Sequence, residues 1–502
     1  MNAPPGHRTT ATDGVIVPHL NFLDETFRDG QQSLWGMRMQ AAHALPIANI
    51  LDRTGFSRID LAASSFMEVL IKFCREDPWE GLDLIQAQIT RTPTRGGMRS
   101  NAAVSMGITP PDLMDAWMRQ LNRHGVRSYW IYDTLYNFHH IDRLSRVAKE
   151  FGSEIAGTVF FTESPVHTDD LFAEQVRQMA AIEGVDTILF YDTAGVLLPD
   201  RIRTLVPRIV EAAGGKPIEM HSNNLMGTST LAYCEAIQHG VTTIHTASRP
   251  MANGPSTPST EVMVRNAEIL GFSHSLDTSL FAPVAEHMER VGKAMGYLVN
   301  QHAEYDLSNI AHQVPGGMTG TLKAQLAQYG MSHRLDEVFQ EAGRVRRELG
   351  YPIMATPVSQ LVGIQAVLNV VTGDRYSVVP TENLMYAAGF YGNPPAPIDP
   401  DAMDRMTANS RWQEVVDNPP ESPSIEELRK AYGTDDDDEL ILRFLVPEPD
   451  LEAMRAAGPV KRDFPLASDE VQQVQALMRT VNSPYFRLST EKFDVSLAKQ
   501  GE

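Results

Sequence analysis

The sequence predicts a (β/α)8 barrel followed by an α-rich region. Three observations carry that expectation. Short β-rich runs alternate with helical patterns from residue 20 to about residue 270, which implies parallel strands. There are eight such units, a number that suits a closed barrel better than an open doubly wound sheet. Beyond about residue 275 the pattern turns mainly helical.

The expected strands are LNFLDETF (20–27), SRIDLAA (57–63), RSNAAVS (99–105), SYWIYDT (128–134), IAGTVFF (155–161), TILFYDT (187–193), PIEMHSN (217–223) and TTIHTA (242–247). Amphipathic stretches such as MQAAHALPIANILDRTG and DRLSRVAKEFG lie between them. The later helices are AEHMERVGKAMGYLV, GTLKAQLAQYG, RLDEVFQEAGRVRRELG and SQLVGIQAVLNVV. Proline-rich segments between 391 and 424 interrupt them. These patterns divide the chain into a flexible tail (1–19), a barrel (20–310), an α-rich domain (311–460) and an extension (461–502) holding the helical stretch SDEVQQVQALMRTV. The run GTDDDDEL (433–440) reads as a solvated face.

A chain of 502 residues with 42% hydrophobic residues can bury more than one core. Its net charge of −20 argues against nucleic acid and against an anionic membrane surface. It does not exclude small anionic substrates, which need only a few local arginines. Cys74 and Cys234 read as buried thiols, and two cysteines make no disulfide framework, which suits the cytoplasm. The opening MNAPPGHRTTATDG lacks the apolar core of a signal peptide, and no apolar run approaches the roughly 20 residues of a membrane helix.

In barrels of this kind chemistry sits at the C-terminal ends of the strands. Here those ends carry Arg28, Asp29, Asp60, Asp133, Asp192, His221 and Asn223. The stretch FLDETFRDGQQSL (22–34) is the first of them, and its acids, guanidinium and amides read as part of an active-site mouth rather than a solvated turn. An acid at a strand end also suits a helix cap, and Asp133 and Asp192 fit that role equally. Arg28, Gln32 and Arg99 could hold a 2-oxo acid and stabilise its enolate. Asp29 and His221 supply oxygen and nitrogen ligands suited to Zn²⁺ or Mn²⁺, and Asn223 follows His221 at the same-face spacing of a strand.

LDETFRDGQQSLWGMRM resembles the first barrel strand of the pyruvate carboxylase carboxyltransferase domain and of the oxaloacetate decarboxylase α subunit. KFCREDPWEGL (72–82), YDTAGVLLPD (191–200), HQVPGGMTGTL (312–322), ATPVSQLVGIQAVLNVVTGDRY (355–376) and GFYGNPPAPID (389–399) extend the resemblance to about residue 400. It implies a metal-dependent barrel that makes or breaks C–C bonds next to enolates. Arg28 falls on its catalytic donor, Asp29 and His221 on metal ligands, and Gln32 and Arg99 on positions that bind the 2-oxo acid. Three positions depart from the pattern. Tyr191 replaces a carbamylated lysine, Asn223 replaces the second metal histidine, and Pro255 aligns with a proton-relaying threonine, with Ser256 or Thr257 as the alternatives.

No Met-Lys-Met biotinylation site occurs, so biotin would arrive on a separate carrier or biotin carboxylase subunit. The resemblance thus implies a carboxyltransferase-type subunit acting on a 2-oxo acid or similar enolisable acid, in a homo-oligomer. The same scaffold would serve a biotin-independent decarboxylase or aldolase. In that case Tyr191 would be a general acid or an oxygen ligand, with its pKa lowered by the metal or Arg28. A third reading is a non-catalytic scaffold in a carboxylase complex.

Overall fold

The computed structural model describes residues 17–103, 106–302, 304–465, 485–489 and 494–498. Eight parallel strands close a barrel in sequence order: β1 (Asn21–Asp24), β2 (Arg58–Ala63), β3 (Thr94–Arg99), β4 (Ser128–Tyr132), β5 (Glu154–Phe160), β6 (Thr187–Asp192), β7 (Ile218–Ser222) and β8 (Thr243–Thr246). β8 pairs back onto β1 with Leu23 opposite His245. The intervening helices are α1 (Ala41–Thr54), α2 (Pro78–Gln86), α3 (Pro111–Arg123), α4 (Phe138–Lys149), α5 (Asp169–Ala181), α6 (Pro199–Ala212), α7 (Ser229–Gln238) and α8 (Thr260–Ile269). Proline opens α2, α3 and α6, where its missing N–H costs nothing. Thr168 caps α5 by accepting from Leu171 N at 3.2 Å. Apolar residues such as Ile59, Met98, Ile131, Ile155 and Ile188 pack outward against these helices.

The third strand differs from the sequence expectation. It runs over TRGGMR (94–99), not 99–105. Glycine weakens strand propensity, so the pair Gly96–Gly97 hides the strand. Packing overrides propensity here: a Cβ on Gly97 would lie 2.4 Å from Trp130 Cζ2, so only glycine leaves room for the indole.

The α-rich region forms a second core from α10 (Gly316–Gln328), α11 (Leu335–Glu348), α12 (Val358–Thr372) and the segments to Val415, following α9 (Phe281–Met295), which packs on the barrel. The chain then returns to the barrel. α13 (Ile425–Tyr432), α14 (Asp437–Leu445) and α15 (Glu448–Ala456) contribute Leu428, Leu440, Ile441 and Leu451 to the barrel's outer core. The acidic run is ordered by this return. Asp436 caps α14, Asp437 pairs with Arg429, and Asp438 meets His124, just past the end of α3, at 3.1 Å. Cys74 and Cys234 are free and half-buried rather than fully buried.

His19 bridges to Ser273, so order begins before β1. The expected helical stretch at 468–481 lies outside the described residues. Tyr485–Ser489 and Asp494–Ala498 pair as an antiparallel ribbon.

Candidate active site at the barrel mouth

β1 ends at Asp24, and the chain turns at once into a wide helical turn, Thr26–Gly30. Gly30 permits that turn to press on the β8 loop, because a Cβ there would lie 2.9 Å from both Cβ and O of Met251. The turn throws Arg28 and Asp29 back over the barrel, where Arg28 is 1% and Asp29 3% exposed. A guanidinium is buried only where its donors are used. Arg28 Nε donates to Asp60 Oδ2 at 3.0 Å, and Nη2 meets Glu25 Oε2 at 2.8 Å and His221 Nδ1 at 3.3 Å. Nη1 donates to Tyr191 Oη at 3.2 Å and Asp29 Oδ1 at 3.4 Å. The guanidinium also stands 5.1 Å from the centre of the Trp130 ring.

Residues far apart in the sequence thus meet. His221 Nε2 lies 3.7 Å from Asp29 Oδ1, and the Tyr191 and His221 rings are 4.0 Å apart. Asn223 Nδ2 donates to Asp29 Oδ2 at 3.0 Å and to Pro255 O at 2.8 Å. Asn223 therefore holds Asp29 through its amide nitrogen. Ser256 Oγ also donates to Asp29 Oδ2 at 3.2 Å, as does Thr257 N at 3.2 Å. The loop thus offers the hydroxyl of Ser256 at the position where Pro255 has none.

Arg99 ends β3, where it donates to Tyr132 Oη at 3.2 Å and Ala102 O at 3.1 Å. Gln32 is half-buried in the helical turn after Gly30. Arg99 reaches the Arg28 group through the stacked rings of Tyr132 and Trp130, 5.2 Å apart. Asp133 and Asp192 take the cap-like role. Asp133 accepts from Leu135 N at 2.9 Å, and Asp192 from Val196 N at 3.1 Å and Leu197 N at 2.8 Å. The second domain covers the mouth: Tyr132 Oη donates to Thr356 O and Thr193 Oγ1 to Met354 O, while Ile353 and Ala355 pack on Trp130, Tyr132, Phe160 and Tyr191.

Below the mouth the barrel interior is charged. Glu25 Oε1 lies 2.7 Å from His245 Nδ1 and 3.2 Å from His221 Nδ1. His245 Nε2 lies 3.2 Å from Glu219 Oε2, and Glu219 pairs with Arg95. Barrel interiors are usually filled by apolar branched residues, so this ladder is a departure. Sequence reasoning missed Glu25, Glu219, His245, Arg95 and Trp130 as members of the site. A signal was present: Glu219 precedes His221 by two, and Glu25 lies within the charged stretch after β1.

The ladder sets the ionisation of its members. Burial pushes the Glu25 carboxyl up, but Arg28 and the two imidazoles outweigh it and hold Glu25 well below the carboxylate range. Burial is likewise outweighed at Asp29, by His221 and Arg28, so Asp29 is lowered. Burial dominates at Asp60, whose carboxyl is pushed up to about 7. Burial also dominates at Tyr191, whose phenol is raised despite Arg28. Arg28 by itself thus does not lower the Tyr191 pKa as the lyase reading of the sequence required: beside that guanidinium the phenol keeps its proton.

The comparisons with known proteins agree with this fold. Residues 310–499 match the family model described as "Conserved carboxylase domain", and residues 131–288 match the "HMGL-like" model. The chain is 34% identical over 388 residues to a pyruvate carboxylase subunit of Methanocaldococcus jannaschii, covering 77% of this chain and 68% of that one. It is 30% identical to the corresponding pyruvate carboxylase subunit of Methanothermobacter thermautotrophicus, covering 78% and 69%. It is 26% identical to the methylmalonyl-CoA carboxyltransferase 5S subunit of Propionibacterium freudenreichii, covering 86% and 87%. The fold matches the carboxyl transferase domain of Rhizobium etli pyruvate carboxylase, solved with pyruvate and biocytin. That match has a TM-score of 0.78 at 20% identity and covers 88% of this chain and 78% of that one. With a barrel of this topology, a carboxylase-type second domain and relatives at this identity, the chain belongs to the pyruvate carboxylase family of carboxyltransferase-type proteins.

Proposed function

We propose that this chain is the carboxyltransferase component of a biotin-dependent carboxylase, acting on a 2-oxo acid or a similar enolisable acid, with biotin on a separate carrier. The observation that carries the reading is the Arg28 guanidinium, held by Glu25 and Asp60 and aimed through Nη1 at the gap between Tyr191 and Asp29. An enolate oxygen in that gap would receive Arg28 Nη1–H and the Tyr191 hydroxyl proton as donors. Arg99 and Gln32 would hold the substrate carboxylate, and the lid of Met354–Thr356 would exclude water. Ser256, on Asp29, would relay the proton that the Pro255 position cannot. The protein would work in the cytoplasm, as an oligomer with its carrier; no helix among the described residues is long and apolar enough to cross a membrane.

A divalent cation between Asp29 and His221 fits the chemistry of this corner, whereas Asn223, expected as a third ligand, presents its amide nitrogen to Asp29 and Pro255 O. His221 is fully buried, its Nε2 lacks a hydrogen-bond partner, and carboxylates lie at both ring nitrogens, Asp29 at 3.7 Å and Glu25 at 3.2 Å. Zn²⁺ or Mn²⁺ there would supply Lewis acidity toward the enolate oxygen.

The test is transfer of the carboxyl group between a 2-oxo acid and a biotinylated carrier, with the purified chain as sole catalyst. Activity quenched by avidin supports the proposal, and Arg28→Ala should reduce it at least about 100-fold. Tyr191, kept protonated by burial, also suits a biotin-independent lyase. Avidin-insensitive decarboxylation of oxaloacetate by the isolated chain would select that second reading.

A further inference from the structure

We infer that Arg346 is the positioning residue that holds the lid, Met354–Thr356, on the barrel mouth and so keeps water from the enolate. This deepens the proposed function, on whose enolate it rests, by naming the group that sets the lid.

Arg346 lies in the last turn of α11 and is 5% exposed. Its guanidinium donates to three neutral oxygens. Nε reaches Pro352 O at 3.1 Å, Nη1 reaches Glu163 O at 3.1 Å, and Nη2 reaches Thr162 Oγ1 at 2.7 Å. Pro352 leads into the lid. Thr162 and Glu163 follow β5, whose last residue, Phe160, packs on Tyr191 with ring centres 5.3 Å apart. One planar group thus ties the lid to a strand end beside the site. A guanidinium holds its N–H donors in fixed directions on a rigid fork, which an ammonium does not.

The charge gives the placement its meaning. Among the described residues no carboxylate stands within ion-pair distance of this guanidinium, and burial lowers its pKa to about 10. An unpaired buried cation is unfavourable. An apolar side chain would fill the same space without that penalty, so the three directed bonds are what the guanidinium adds.

The chain on either side is built for the same end. Gly350 and Tyr351 take φ of 83° and 57°, which turns the chain sharply out of α11. Arg346 O closes that turn by accepting from Tyr351 N at 2.9 Å. On the barrel side, Gln313 Oε1 accepts from Thr162 Oγ1 at 2.8 Å and from Glu163 N at 3.1 Å, so the Arg346 acceptors are themselves fixed.

A displaced lid has a chemical signature. Starting from oxaloacetate, C–C cleavage leaves an enolate and CO2. Under a closed lid the biotin N–H proton goes to the enolate carbon, and CO2 joins that nitrogen. Where water reaches the enolate, a water proton goes to the carbon instead, and hydroxide and CO2 leave as bicarbonate. Carboxybiotin formed per pyruvate released therefore reads the lid.

The full chain is compared with Arg346→Lys, which keeps the charge and loses the fork. Hydrogen exchange over 350–361 should quicken at least about tenfold, with α10 unchanged. Carboxybiotin per pyruvate, on a biotinylated carrier, should fall at least about fivefold. A smaller folded fraction lowers both products together and leaves that ratio where it was. Exchange within about threefold of wild type overturns the assignment, as does a quickened lid with an unchanged ratio. Should Arg346→Lys fail to fold, Thr162→Val removes one acceptor, keeps the shape and is held to the same two outcomes. Exchange is read without turnover. A chain that forms no carboxybiotin at all would sink the functional reading, and exchange alone would then decide whether Arg346 holds the lid.

Discussion

Tyr191 Oη accepts a hydrogen bond from Arg28 Nη1 at 3.2 Å, and the Arg28 guanidinium stands 5.8 Å from the centre of the Tyr191 ring. The phenol spends its lone pair on Arg28 and keeps its proton to give. Tyr191→Phe keeps the ring packed on His221 and removes only that donor. We expect kcat to fall about 100- to 1000-fold with KM changed little, as for loss of one oxyanion donor. Unfolding should shift by no more than about 1.5 kcal/mol, the worth of one hydrogen bond. A variant within tenfold of wild-type kcat would show that the phenol gives no proton to the reacting oxygen.

Gly97 connects fold to site through packing alone. Trp130 Nε1 donates to Asp60 Oδ2 at 2.9 Å, and that same oxygen accepts from Arg28 Nε. Gly97→Ala pushes a methyl into the indole and so disturbs the residue that steadies Arg28. The expected cost is about 1–3 kcal/mol in stability, as for other overpacked cores. It should come with a shifted tryptophan emission maximum and a loss of turnover larger than the stability change explains. Unaltered emission in the folded variant would mean that the indole does not rest on this glycine.

The sequence shows the rim of the site more clearly than its floor. Arg28, Asp29 and His221 stand out because polar groups interrupt the ends of apolar strands. Glu219 and His245 lie inside strands, where polar alternation ordinarily marks a solvated face, and only barrel closure turns that face inward. The third strand is misplaced for a related reason: its glycines make room for Trp130, a partner about thirty residues away that local propensity cannot see. The second domain's lid over Tyr132 and Thr193 follows from tertiary packing, with no local signature.

The Arg95–Glu219 pair tests how far the charged interior serves stability. Burial opposes ionisation of Glu219, but Arg95 and His245 outweigh it and hold the carboxyl far below its ordinary value. Its contribution is therefore full above the ordinary pKa of 4.5 and is lost as pH falls through the folded value. Glu219→Gln leaves a buried guanidinium without its partner, at a cost of about 3–5 kcal/mol near neutral pH. The gap between wild type and variant should narrow as pH drops, in urea unfolding monitored by circular dichroism. A gap that stays constant down to pH 3 would contradict the assignment of charge.

Glu76 presents the opposite sign. It is 4% exposed beside an apolar cavity of about 60 Å³ lined by Phe27, Leu61 and Leu82, and its Oε1 accepts from Ala41 N at 2.9 Å. Burial pushes its carboxyl up to about 7, overcoming that backbone donor. A raised carboxyl contributes stability that is full below its ordinary value of 4.5 and is lost as pH rises through about 7. Glu76→Gln keeps an oxygen for Ala41 N and cannot ionise. The variant should match wild type near pH 4.5 and exceed it at pH 8, by as much as about 3 kcal/mol at 1.36 kcal/mol per unit. Urea midpoints at the two pH values measure this directly. A variant equal to or weaker than wild type at pH 8 would show that the Ala41 N–H, and not burial, governs this carboxyl.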